Sequence, residues 1–120
     1  MGRRSRRRDA PAAPSSDYVD AEGNVLTLRG SLTVGSRRQY AETLALGGAS
    51  AAASREDAWQ RAAEMLFERL AVRWVIAGVA LEGQRELLAR LRISSPAERE
   101  WVRGVLRVHC AEHFPDVQAP

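Results

Sequence analysis

The chain has 120 residues and a formal net charge of +3, and all 18 of its basic residues are arginine. Its length fits one domain, and its single cysteine, Cys110, excludes an intrachain disulfide and a cysteine-rich zinc module. No apolar run approaches the roughly 18–20 residues that a membrane-spanning helix needs, so we expect no membrane partner.

The positive charge is concentrated in residues 1–16. That segment combines Pro, Ala and Ser with five arginines, and the rest of the chain has 13 arginines against 14 acidic residues, a net charge of −1. Without apolar periodicity, the segment predicts a disordered arm ahead of a single domain over 17–117. The arm either neutralises nucleic-acid phosphates or is only a solubilising tail. Its arginines, the candidate nucleic-acid contacts, are Arg3, Arg4, Arg6, Arg7 and Arg8.

A short hairpin and a short helix are predicted first in the domain. Tyr18–Val19 and Val25–Leu28 flank the turn-forming residues Ala21–Asn24. A two-stranded hairpin is marginal in water, so it must lie on the helices or pair with another strand. The helix is expected to begin at Ser36, as N-cap, and to end at Gly47.

The strongest prediction is a long amphipathic helix from about residue 55 to residue 74. Its apolar residues recur every three or four positions, which places them on one side of a helix. This stripe is either the domain core or a face that binds a partner. Val75 to Leu81 either extends the helix or forms an extended segment around Gly78. The stripe consists of Trp59, Ala62, Ala63, Leu66, Leu70 and Trp74.

Two more helices are predicted, over Gly83–Ile93 and from Ser95 to Phe114. In the last helix Ser95 as N-cap, Pro96 at the first position and Glu98 at the third agree with one another. We therefore expect a mainly α fold, a small helical domain with a short N-terminal β-hairpin and a disordered basic arm.

The string His109-Cys-Ala-Glu-His113 matches H-x-x-E-H, an inverted zinc-peptidase motif. On a helix the two imidazoles lie one turn apart, and Glu112 could activate a metal-bound water. Only seven residues follow His113 to supply a third ligand, and imidazoles near a helix C-terminus also interact favourably with its carbonyls. No phosphate loop or nucleophile elbow occurs in the sequence. We expect no metal, no cofactor and no enzymatic activity.

Four helices and a hairpin built from about 100 residues are expected to leave an apolar face uncovered near Trp74 to Leu81. Such a face would bind another protein or a second copy of the chain. The candidate partner-binding residues are Trp59, Leu66, Leu70, Trp74, Ile76 and Leu81.

The order of these segments resembles the tail assembly chaperones of long-tailed, siphovirus-type bacteriophages of actinobacteria. The similar parts are the opening Asp20–Arg29, the Arg-Arg helix start in Ser31–Arg38, and the central helix that runs into Leu70–Ile76. The resemblance covers about residues 17–117 and does not include the basic arm.

This resemblance implies a small, mostly helical, non-enzymatic protein of the infected host's cytoplasm. Members of the family bind the tape-measure protein and keep it soluble while the tail tube assembles, and many are made in two lengths by ribosomal frameshifting. Two other classes remain open. One is a small virion or head–tail structural protein, or a helical adaptor, and the other is a nucleic-acid-binding module that uses the arginine arm.

Overall fold

A four-stranded antiparallel sheet and four helices make up the residues that the computed structural model describes, 14–48 and 52–120. The strands follow one another in the sheet in the order β1-β2-β3-β4. The prediction of a mainly α fold is therefore wrong, and the described chain is an α/β domain. Its elements are β1 (Ser16–Val19), β2 (Val25–Leu28), α1 (Val34–Gly48), α2 (Ala52–Leu70), β3 (Ala71–Ile76), β4 (Val79–Leu81), α3 (Gln84–Arg92) and α4 (Pro96–His113).

The N-terminal hairpin is confirmed. Strand β1 pairs with β2, with Ser16 opposite Leu28, so ordered structure already includes the last residue assigned to the arm. The turn between them uses Gly23 at a φ of 84°, a conformation that glycine adopts without steric cost. The Asp20 carboxylate accepts hydrogen bonds from the backbone N–H groups of Glu22 and Asn24 at 2.8 and 2.9 Å.

The largest correction concerns the residues that follow Leu70. Helix α2 ends there, and the chain continues as strand β3, in which Trp74 lies opposite Leu26 of β2. Trp74 stands four residues after Leu70, a spacing that places two residues on the same side of a helix. In a strand alternate residues share a face, so the same spacing also places two residues on one face of a strand. β-Branched residues follow Leu70 at Val72, Val75 and Ile76, and they favour the strand.

A two-residue turn joins β3 to β4. Ala77 and Gly78 both have positive φ values, 51° and 81°, as the tight hairpin turns that match strand twist require. The backbone N–H of Ala77 donates to Oδ1 of Asn24 at 3.0 Å, which ties this turn to the first hairpin.

Helix α1 begins three residues earlier than predicted, with Val34 and not Arg37 as its first residue. The backbone N–H of Ser36 donates to Oγ1 of Thr33 at 3.0 Å, so Thr33, and not Ser36, caps the helix. The predicted start of α4 is confirmed, because Ser95 and Glu98 form a complete capping box with Pro96 in the first turn.

The core lies between one face of the sheet and the helices. The rings of Phe67 and Trp74 meet edge to face with 5.7 Å between their centroids. The C-terminal residues also pack on this core, because Val117 is buried and the Tyr40 hydroxyl donates to the carbonyl of Gln118. The largest core side chains are Leu26, Leu28, Leu66, Phe67, Leu70, Trp74, Leu87, Val102, Leu106 and Phe114.

Cysteine pairs test the corrected sheet directly. The double variant Val25→Cys/Val75→Cys should form an intramolecular disulfide on mild oxidation, because these residues are register partners in β2 and β3 and such partners have Cα atoms about 4.5–5.5 Å apart. Mass spectrometry under non-reducing conditions measures the cross-link.

The matched control is Val25→Cys/Ala80→Cys, which lies on the same sheet face with β3 between the two cysteines. Two strand spacings of about 4.8 Å separate this pair, too far for a disulfide. Cross-linking of the control but not of the first pair would contradict the strand order.

Candidate functional site

The sheet has a second face, turned away from the core, and we call it the open face. One apolar residue from each strand forms a continuous row across it, because Val19 pairs with Val25, Val25 with Val75, and Val75 with Ala80. Val19 is 63% exposed and Ala80 is also exposed, whereas the two central valines are half-buried between their neighbours. We call Val19, Val25, Val75 and Ala80 the apolar row.

Such a row is unusual on the solvent side of an antiparallel sheet. A sheet with one wet face commonly alternates apolar residues toward the core with polar residues toward water. Here the valines of the row put β-branched side chains on the wet side, while the alternate positions Leu26 and Trp74 already supply the core. The four positions form a small contiguous apolar patch beside water, and such patches often mark an interaction surface.

The residues beside the apolar row are polar and contact one another. The Thr27 hydroxyl donates to Oδ1 of Asp17 at 2.6 Å, and Nε of Arg73 lies 3.5 Å from Oε2 of Glu82. The open face therefore has an apolar strip and a polar border, the arrangement found in protein–protein interfaces.

The predicted partner-binding residues do not come together on one surface. Leu66, Leu70 and Trp74 are 1%, 0% and 2% exposed within the core, so a partner cannot reach them in the folded domain. Ile76 and Leu81 are half-buried against that core, and Trp59 is 39% exposed on α2.

Sequence reasoning missed the apolar row. Val19 and Val25 were assigned to the hairpin, but not to either face of it. Val75 and Ala80 fell in the segment from Val75 to Leu81, for which helix and extended structure were both left open. The available signal is the alternation of Asp17, Tyr18 and Val19, since period 2 assigns neighbours to opposite faces. The predicted nucleic-acid contacts, Arg3, Arg4, Arg6, Arg7 and Arg8, lie outside the described residues.

The H-x-x-E-H motif takes part in a buried polar network between α4, β1 and the end of β2. His109 is fully buried, and its Nε2 lies 2.8 Å from the carbonyl oxygen of Arg29. A carbonyl only accepts, so Nε2 carries the proton, and Nδ1 accepts from the Tyr18 hydroxyl at 2.8 Å. Burial raises the pKa of Tyr18, which keeps that donor protonated. The network holds the helix to the sheet.

This geometry leaves His109 no lone pair for a metal ion. Its acceptor nitrogen is occupied by Tyr18, while Nε2 of His113 lies 3.3 Å from the Ser16 hydroxyl. Among residues 14–48 and 52–120, no group of three or more His, Cys, Asp or Glu side chains is placed to hold a metal ion. Cys110 is buried, and burial raises the pKa of its thiol to about 11, so the reactive thiolate is disfavoured.

No family model, curated protein or solved structure matches the chain. The resemblance to tail assembly chaperones therefore rests on the sequence segments given above. In the part of the chain that the structure describes, no helix is both long enough and apolar enough to cross a membrane.

The buried imidazole makes stability depend on pH. Burial lowers the pKa of His109 below its ordinary value of 6.5, so the unfolded chain takes up a proton more readily than the folded chain. The free energy of unfolding should fall as the pH drops below 6.5, down to the lowered pKa, and this loss should be absent above 6.5. Urea denaturation at a series of pH values measures it.

Two histidine variants identify the group responsible. His109→Gln should lower the free energy of unfolding by about 1–3 kcal/mol at neutral pH, because buried hydrogen bonds are lost, and should reduce the acid-dependent loss. His113→Gln is the matched control and should retain most of that loss, because burial, more than the neighbouring His113, lowers the pKa of His109. An unchanged pH dependence in His109→Gln would contradict the assignment.

Proposed function

We propose that this protein is a tail assembly chaperone that binds an amphipathic helix of a tape-measure protein across the open face of its sheet. The observation that supports the proposal is the apolar row, which crosses all four strands and ends at the exposed residues Val19 and Ala80. The sequence resemblance supplies the identity of the partner, and the row supplies a surface of the chemistry that such a partner needs.

The length of the apolar row fits a single helix. Three strand spacings of about 4.8 Å separate its first and last residues, roughly 14 Å in all. A helix rises about 1.5 Å per residue, so about ten residues span that distance. An apolar stripe at positions i, i+3, i+4 and i+7 of the partner would follow the row.

The size of the open face argues against a second copy of the chain as its main occupant. The strands have four, four, six and three residues. At about 3.3 Å per residue and about 4.8 Å between strands, they make a face of roughly 300 Å². A stable complex between two folded proteins buries about 800 Å² on each partner. A helix needs less surface, because it presents only one stripe.

A small apolar contact also suits a chaperone. It gives a weak, reversible complex, so the chaperone can leave as tube subunits polymerise around the partner. A long tape-measure chain offers many similar stripes, and several chaperone molecules can cover it at once. The free chain would otherwise expose those stripes to aggregation.

The proposal expects a long, helix-rich tape-measure protein to be encoded immediately downstream, and co-expression with that protein tests it. The wild-type chain should raise the soluble fraction of that protein. Val19→Glu should abolish most of the effect and weaken binding of the purified partner by about tenfold or more, since a charge in an apolar contact is left without a partner.

The matched control is Val108→Glu on α4, which makes the same substitution at a similarly exposed valine, 58% against 63%, away from the open face. It should behave as the wild type does. Thermal unfolding checks that both variants fold. Equal losses in the two variants, or no effect of the wild-type chain on the partner's solubility, would contradict the proposal.

A further inference from the structure

A second surface lies where β2 ends and α1 begins, and it is polar where the apolar row is not. A cleft of about 420 Å³ opens there, and we call it the basic cleft. Two guanidinium groups, three hydroxyls and one carboxamide line it, and no carboxylate does. Its lining residues are Arg29, Ser31, Leu32, Thr33, Ser36, Arg69 and Gln84.

The backbone brings the two arginines of the basic cleft together. The N–H of Arg29, just after β2, donates to the carbonyl of Leu70 at the end of α2, at 2.8 Å. This hydrogen bond brings Arg29 close to Arg69, which precedes Leu70 in the chain. Both arginines are exposed and line the same cleft, and a cleft lined by charges of one sign attracts ions of the opposite sign.

Neither arginine is neutralised by an acidic residue of the described chain. Arg69 donates to Oε1 of Gln39 at 3.3 Å, a neutral group, and Arg29 has no side-chain hydrogen bond or ion pair among residues 14–48 and 52–120. Acids are not scarce, because the domain has 14 of them for 13 arginines. Six other arginines form ion pairs with them: Arg37, Arg73, Arg90, Arg92, Arg103 and Arg107.

The hydroxyls complete the chemistry of an oxyanion site. The Thr33 hydroxyl donates to Oγ of Ser36 at 3.0 Å, which leaves the Ser36 hydroxyl proton free to donate elsewhere. Ser31 adds an exposed hydroxyl to the same cleft. Arginine pairs with neighbouring hydroxyls bind phosphate through charge-assisted, bidentate hydrogen bonds.

We propose that the basic cleft binds a phosphate of a nucleic-acid backbone, with Arg29 and Arg69 as its two cationic ligands. A polymeric source is favoured over free phosphate by the position of the chain's other arginines. Ser16 pairs with Leu28, so the polypeptide reaches β1 beside Arg29, and Arg8 is only six residues before Pro14. Six residues span at most about 20 Å, within reach of neighbouring phosphates on one strand.

Binding of a labelled oligothymidylate to the full chain, measured by fluorescence anisotropy over a range of salt concentrations, tests the proposal. The double variant Arg29→Gln/Arg69→Gln should bind about tenfold more weakly than wild type. The slope of log K against log salt should shrink by about 0.7, since the cleft holds one phosphate and each phosphate contact on a single strand contributes about 0.7. Both side chains are exposed, and thermal unfolding should confirm that the variant folds.

The control Arg61→Gln removes one exposed charge from α2, in a cleft shared with Glu64 and Glu68, and should change affinity by less than about twofold. Val19→Glu should leave oligonucleotide binding intact, which separates this proposal from the chaperone proposal. Inorganic phosphate, titrated against the arginine Nε–H resonances, distinguishes the two sources of the anion.

Three outcomes would overturn the assignment. The first is an equal affinity of the double variant and the wild type. The second is binding that is lost on deleting residues 1–13 and is indifferent to Arg29 and Arg69. The third is a cleft that takes up inorganic phosphate while oligonucleotide affinity stays the same in the double variant.

Discussion

The pairing of β2 with β3 is the interaction on which the rest of this structure depends. It joins the N-terminal hairpin to residues more than forty positions later and converts two marginal hairpins into one sheet. Because Trp74 lies opposite Leu26, one face of the sheet becomes the floor of the core. Because Val75 lies opposite Val25, the other face acquires its apolar row. At the end of the same contact, the bond from Arg29 to Leu70 creates the basic cleft.

Local signals predicted the parts of the fold that local chemistry determines. The structure contains the turn at Gly23 and the capping box of Ser95 and Glu98. It also contains the predicted helix α3, Gln84–Arg92. The strand after Leu70 was missed because its partner is distant in sequence, and because the spacing of Trp74 from Leu70 satisfies helix and strand periodicities alike. The predicted partner-binding residues do not share one surface for the same reason. Which face of the sheet a residue occupies depends on the register of its strand.

The histidine motif shows how sequence proximity and structural role can diverge. His109 and His113 lie one turn apart, as the motif requires, yet the partners of His109 are Tyr18, 91 residues earlier, and the backbone of Arg29, 80 residues earlier. These contacts hold α4 against the hairpin, and burial favours the neutral imidazole by lowering the pKa of His109. The histidines of the motif therefore join elements of the fold, and the surfaces that we propose for partners are the apolar row and the basic cleft.

Intermolecular nuclear Overhauser effects in the complex with a helical segment of the proposed tape-measure partner test the central claim most directly. The methyl groups of Val19, Val25, Val75 and Ala80 should give contacts to the partner, and those of Leu26 should give contacts only within the core, to Trp74. Partner contacts confined to Val108 of α4, with the apolar row unperturbed, would contradict the account.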